Sequence, residues 1–226
     1  MNIIIGIISY LPDAESLRRN RIDKLKVLIE RCNYYFNIPI WVVAQNYKED
    51  AAQFALPNVK LFHYDKLGIT GARKQLRELF VNSDQDYLIM LDDDCGLRGL
   101  KEEGAKYLQT LENNPNKYGI KRAKLLKLLA ISRHIYSQLE FPDVNPENNE
   151  GSEEAVFCRM LELLFPNDKI TFTDGMREFS NSATDRNSTW RNEYKDTIDR
   201  QQLIKNTQDA IKKYTQPTEG DPSCKK

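Results

Sequence analysis

Five isoleucines in six positions, Ile3-Ile4-Ile5-Gly6-Ile7-Ile8, with no polar residue between them, constrain the fold more than any other feature of the chain. A strand that faces water on one side alternates apolar and polar residues. A continuous β-branched run instead suits a strand covered on both faces, in the interior of a parallel sheet. The run is far too short to cross a bilayer, which takes roughly 20 apolar residues. It has no basic region before it and no small-residue cleavage site after it, so it does not read as a signal peptide. The expected location is cytoplasmic.

Beyond this run, helix-like and strand-like segments alternate. Pro12 and Asp13 mark a turn, and Leu17, Ile22, Leu25, Leu28 and Ile29 recur at helical spacing as far as Tyr35. Ile40 to Ala44 and Val59 to Tyr64 read as strands, Ala72 to Val81 as a helix behind the Gly68/Gly71 loop, and Asp86 to Leu91 as a fourth strand. Strand–helix units of this length predict an α/β fold: a mostly parallel sheet with right-handed crossovers, flanked by helices. Ligands of such sheets bind beyond the carboxyl ends of the strands. Ser9, Tyr10, Gln45, Asp65 and the triplet Asp92-Asp93-Asp94 all fall at such ends.

The second half is less regular. Leu97 to Asn114 is expected to be an exposed helix, Leu128 to Ser132 a strand and Arg133 to Leu139 a helix. Phe141 to Glu150, rich in Pro, Asn and acids, reads as a loop. Ser152 to Leu164 has a helical apolar face, and Ile170 to Phe172 reads as a short strand. The 226 residues suit one domain over residues 1–195, a C-terminal helix over 196–214 and a tail of disordered composition over 215–226.

Charge and sulfur narrow the chemistry. With 33 basic and 33 acidic residues the formal charge is zero, so no overall positive field attracts nucleic acid or anionic lipid. The basic run Lys117, Lys121, Arg122, Lys124, Lys127 reads first as a solvated face, and otherwise as a contact for an anionic acceptor. Four cysteines without a CxxC pair, and two histidines, His63 and His134, exclude a zinc site of the usual Cys/His spacing.

Three consecutive carboxylates delivered to a sheet edge by an apolar strand repel one another unless a positive charge compensates them. Oxygen-bound magnesium or manganese does so while keeping positions open for substrate phosphates. Because side chains alternate along a strand, Asp92 and Asp94 are expected on one side and Asp93 on the other. The plainer reading is a solvated acidic turn.

Asp86-Tyr87-Leu88-Ile89-Met90-Leu91-Asp92-Asp93-Asp94 resembles the strand and DxD motif of glycosyltransferase-A-fold enzymes, above all the large inverting family typified by cellulose and chitin synthases. Ile4 to Tyr10 is similar to that family's first strand, Gly68 to Lys74 to its G-x-x-x-A-R-N loop, and Ala130 to Arg133 with Gly151 to Phe157 to its acceptor-side segment ending in G-x-E-D-x-x-F. The likeness spans roughly residues 2 to 165. It implies a Rossmann-like catalytic domain, residues 1–95 holding the nucleotide sugar and 96–195 addressing the acceptor. Asp92 is then implied at the ribose or metal side of the donor, and Asp94 on a Mn²⁺ or Mg²⁺ ion bridging the diphosphate. Asp93, Ser9, Tyr10, Gln45, Asp65, Gly71 and Arg73 are implied near a UDP-sugar or related donor. Glu154, or its neighbour Glu153, is implied as general base. The sequence departs from the pattern in having Glu-Glu for Glu-Asp, and in lacking a histidine after His134 to complete the metal shell; Asp174, Asn181 and Asp185 are oxygen-bearing substitutes.

Sugar transfer competes with other readings. Nucleotidyl transfer to a sugar phosphate calls for a glycine-rich loop after the first strand, where Ser9 to Ala14 has no glycine. An aspartate phosphatase would carry its motif after the first strand rather than the fourth. A nucleotide-binding domain without catalysis is the non-enzyme alternative. The acceptor stays open among a glycan, a peptide and a modified DNA base.

Overall fold

The computed structural model describes residues 1–121, 128–142, 152–180 and 200–215. The first half runs β1 (Ile3–Tyr10), α1 (Glu15–Tyr35), β2 (Ile40–Gln45), a 3-10 turn (Lys48–Phe54), β3 (Val59–Tyr64), α2 (Gly68–Val81) and β4 (Tyr87–Asp92). Then come β5 (Cys95–Arg98), α3 (Lys101–Glu112), β6 (Tyr118–Gly119), β7 (Leu129–Ser132) and the single turn α4 (Arg133–Tyr136). The chain closes with α5 (Ser152–Leu164), β8 (Lys169–Ile170), β9 (Arg177–Ser180) and α6 (Arg200–Thr215).

Among the described residues the main sheet has seven strands in the order β3-β2-β1-β4-β7-β6-β8. The isoleucine run lies in its interior, parallel to β2 on one side and to β4 on the other. Its two faces enter separate cores. Ile3, Ile5 and Ile7 pack with Leu25, Leu28 and Cys32 of α1 and Tyr107 and Leu111 of α3. Ile4 and Ile8 pack with Ala72, Leu76 and Phe80 of α2 and Phe157, Met160 and Leu161 of α5. Both faces are thus dry, the condition that makes a run without polar alternation favourable. Because β1 to β4 are parallel, their carboxyl ends share one edge, which carries Tyr10, Gln45, Tyr64 and Asp92.

Several expectations shift. The stretch from Gly68 to Gly71 is not a loop but the first turn of α2, entered through Gly68 at φ 72°. The expected helix from Leu97 begins only at Lys101, because Cys95–Arg98 pairs antiparallel with β9 in a second, two-stranded sheet. Glu103 accepts the Leu100 N–H at 2.7 Å and fixes that later start. Nor is this helix wholly exposed, since Gly104, Tyr107 and Leu111 are buried. The main sheet is mostly parallel, as expected, with β7 running antiparallel between β4 and β6. The final helix is described over Arg200–Thr215, while residues 196–199, Trp190 and most of the Phe141 to Glu150 loop lie outside the described residues.

Gly104 marks the tightest crossing of α3 on α1: a Cβ there would stand 2.1 Å from the Tyr35 carbonyl oxygen. Backbone cannot yield as a side-chain tip can. Gly104→Ala is therefore expected to destabilise by about 1–3 kcal/mol despite alanine's better helix propensity, read as a lower urea midpoint at unchanged slope.

Candidate active site

The aspartate triplet divides into two environments. Asp93 turns toward β1 and α1: its Oδ2 accepts from Ser9 Oγ at 2.6 Å and its Oδ1 from Arg21 at 2.6 Å. Ser9 has one proton, given to Asp93, so the 2.6 Å contact between its Oγ and the Tyr47 hydroxyl is donated by Tyr47. Burial raises the Asp93 carboxyl above its usual range, with Asp94 and Asp92 adding to the rise against the opposing pull of Arg21 and Ser9. Burial also raises the Tyr47 phenol, and Asp93 adds to it.

Asp92 faces the other way, toward α2 and α5. Arg73, 2% exposed, donates to Asp92 Oδ1 at 3.1 Å, to Glu153 Oε1 at 2.9 Å, and to Glu154 Oε1 by a shorter contact. Its guanidinium also lies 5.4 Å from the Phe141 ring centroid. Burial alone would lower its pKa, but Asp92, Glu154 and Glu153 more than offset that and hold the cation firmly. The two glutamates occupy the first turn of α5, where the helix dipole favours negative charge. Glu153 is closed off, whereas Glu154 keeps 12% of its side chain exposed. Burial raises the Glu154 carboxyl above the usual range; Arg73 opposes this, while Asp92 and Glu153 add to it.

The donor set for a cation is explicit. One oxygen each from Asp92 and Asp94 and the sulfur of Cys95 lie within 4.8 Å of one another. Around Arg73, three carboxylates against one guanidinium leave two negative charges, which a dication compensates. The residues therefore fit a divalent ion.

The remaining candidates separate. Tyr10 ends β1, with the Lys66 ammonium 5.8 Å from its ring centroid. Gln45 is committed to structure, its Oε1 accepting the Leu67 N–H at 2.8 Å and pinning the β3–α2 connection. Asp65, in that connection, is exposed. Gly71 lies in the first turn of α2, where a Cβ would stand 3.1 Å from that of Leu67. Asp174 is enclosed with Lys121, so that member of the basic run forms an internal ion pair. Asn181 and Asp185 lie outside the described residues. Arg21, Tyr47 and Cys95 were not candidates on sequence. Arg21 sits within an α1 segment dense in basic residues, Tyr47 carries no local signal, and only the position of Cys95 directly after the triplet could have drawn notice.

Solved structures share this architecture. TarS 1–349 of S. aureus matches at a TM-score of 0.54 and 12% identity, over 80% of this chain and 61% of that one, so the chain spans about three fifths of it. A protein of Desulfovibrio desulfuricans G20 described among the nucleotide-diphospho-sugar transferases matches at 0.52 and 12% identity, over 95% and 99% of the two chains. A cytidylyltransferase of Leptospira borgpetersenii matches at 0.51 and 12% identity, over 77% of each. No family model matches the sequence, and no curated protein does. The chain thus shares the Rossmann-like, glycosyltransferase-A-like α/β fold of these structures. Among the described residues no helix is long and apolar enough to cross a membrane.

Arg73→Met keeps the bulk and removes the charge. It is expected to cost roughly 3–5 kcal/mol, the range for stranding buried partners of an ion pair. Without Arg73 the Glu154 pKa rises further above the ordinary glutamate value of about 4.3. A raised folded pKa gives stability that is present below the ordinary value and is lost as pH climbs through the raised one. The deficit in urea unfolding should therefore be small near pH 4 and grow toward pH 8.

Proposed function

We propose that the chain is a divalent-cation-dependent glycosyltransferase that moves a sugar from a nucleotide sugar, by resemblance a UDP sugar, to an acceptor hydroxyl with inversion. The observation that carries this reading is the joining, through one buried guanidinium, of a strand-end aspartate and a helix-borne glutamate from opposite halves of the domain. Asp92 and Asp94 would hold Mn²⁺ or Mg²⁺, which supplies Lewis-acid compensation of the diphosphate charge. Glu154 takes the proton of the acceptor hydroxyl as its oxygen forms a bond to the anomeric carbon and the bond to the diphosphate breaks. Arg73 fixes where that carboxylate stands. Glu153, more deeply enclosed, anchors the guanidinium from the other side. Tyr10 and Asp65 lie at the strand ends where the nucleotide would rest, and the Asp93–Ser9–Tyr47 network holds the wall beneath it.

One observation favours a second reading: the fold is shared with a cytidylyltransferase. Nucleotidyl transfer would consume a nucleoside triphosphate and a sugar phosphate and release pyrophosphate, whereas glycosyl transfer releases a nucleoside diphosphate. The glycine-free segment Ser9 to Ala14 weighs against a triphosphate cradle.

A thermal-shift panel of nucleotide sugars with and without Mn²⁺ tests the proposal. At saturating donor, cation and nucleotide sugar together should raise Tm by roughly 5–10 °C, and Asp94→Asn should abolish the rise. Glu154→Gln should keep the shift and lose about 10²–10⁴-fold in turnover, measured as nucleoside diphosphate released. Pyrophosphate release from a triphosphate and a sugar phosphate would favour the second reading instead.

A further inference from the structure

We propose that the Cys95 thiolate is the third protein ligand of the cation site, and that it biases the site toward borderline cations of the zinc and cobalt kind over magnesium. The inference rests on reading Asp92 and Asp94 as cation ligands and adds a ligand that the resemblance does not supply. The donor set argues for it directly: two carboxylate oxygens and one sulfur within 4.8 Å, all at the end of β4 and the start of β5. Around a zinc-like ion, with bonds of about 2.0–2.3 Å, tetrahedral ligand atoms stand roughly 3.4–3.6 Å apart. The three atoms need draw in by only about 1 Å to reach that geometry.

The position of Cys95 is fixed rather than incidental. It opens β5, whose antiparallel pairing with β9 sets Cys95 opposite Ser180. Its side chain is fully buried, so an ion it binds is shielded from water. Magnesium gives up its waters reluctantly and avoids sulfur, whereas zinc and cobalt accept mixed oxygen and sulfur sets with few ligands. The three protein ligands then leave a fourth position for a donor phosphate, the open geometry of a working rather than a structural site.

A second observation concerns the guanidinium that bonds Asp92. The Arg73 Nε–H is buried and has no hydrogen-bond partner among the described residues, although the same guanidinium is bonded to Asp92. An unfilled donor on that guanidinium suits an anionic group such as a diphosphate oxygen, the natural companion of a bound dication. Of the oxygen-bearing substitutes, Asp174 has its Oδ1 held by Lys121 and the Met176 N–H and its Oδ2 buried without a partner among the described residues, while Asn181 and Asp185 lie outside those residues. On binding, Cys95 releases its proton to solvent and no electron changes hands.

Cobalt titration of the full chain tests this, in a Cys224→Ser background so that this thiol does not contribute. The expected result is a near-ultraviolet sulfur-to-cobalt charge-transfer band that excess Zn²⁺ displaces. Cys95→Ser should lose the band and bind Co²⁺ at least roughly tenfold more weakly, with Mg²⁺ affinity unchanged; Cys95→Ala, checked for an unaltered Tm, should behave alike. Asp94→Asn should also lose the band. Cobalt binding that needs Asp94 but neither shows the band nor weakens in Cys95→Ser overturns the inference and leaves the donor-site reading standing. Cobalt binding indifferent to Asp94, or no binding at all, overturns both.

Discussion

One guanidinium holds the two halves of the site together. Arg73 arises on α2, in the first half of the chain, and bonds at once to Asp92 at the end of β4 and to Glu153 and Glu154 in the first turn of α5. Phe141 flanks the same group. In a low-dielectric interior each of these carboxylates alone would be expensive, and so would the arginine. Together they specify one arrangement, because the planar fork of arginine accepts its partners only in fixed directions. The approach of α5 to the sheet edge is thereby set electrostatically as well as by the packing of Phe157, Met160 and Leu161 on the β1 face.

The sequence made the sheet legible because its signal is local. Ile3 to Ile8 names a strand dry on both faces, and the isoleucines do divide between two cores. The parity of the triplet was equally legible. Asp92 and Asp94 share one cluster while Asp93 turns to Ser9 and Arg21, although only Asp92 belongs to the strand and the other two lie in the turn after it.

What the sequence hid is long-range. Nothing near Arg73 discloses that its partners stand 80 and 81 residues away, so a basic residue at the start of a helix reads as a substrate contact. The second sheet of β5 and β9 was missed for the same reason: each strand is only four residues long, and together they exist only through a pairing across some eighty positions. Gln45 Oε1 accepts the Leu67 N–H and Lys121 pairs with Asp174, internal contacts that no local pattern discloses. Strand ends attract polar residues for structural reasons as readily as for functional ones.

Two arginines also change the meaning of the clustered charge. Asp93 is compensated by Arg21 and Asp92 by Arg73, both supplied by the chain itself. Part of the triplet's charge is thereby met within the chain, although Arg73 is shared with Glu153 and Glu154. The division of labour reflects the number of hydrogen bonds each carboxylate already accepts. Asp93 has both oxygens engaged, so it serves as a fixed wall. Asp92 has one oxygen on Arg73 and 23% of its side chain still open, the exposure that the proposed cation requires.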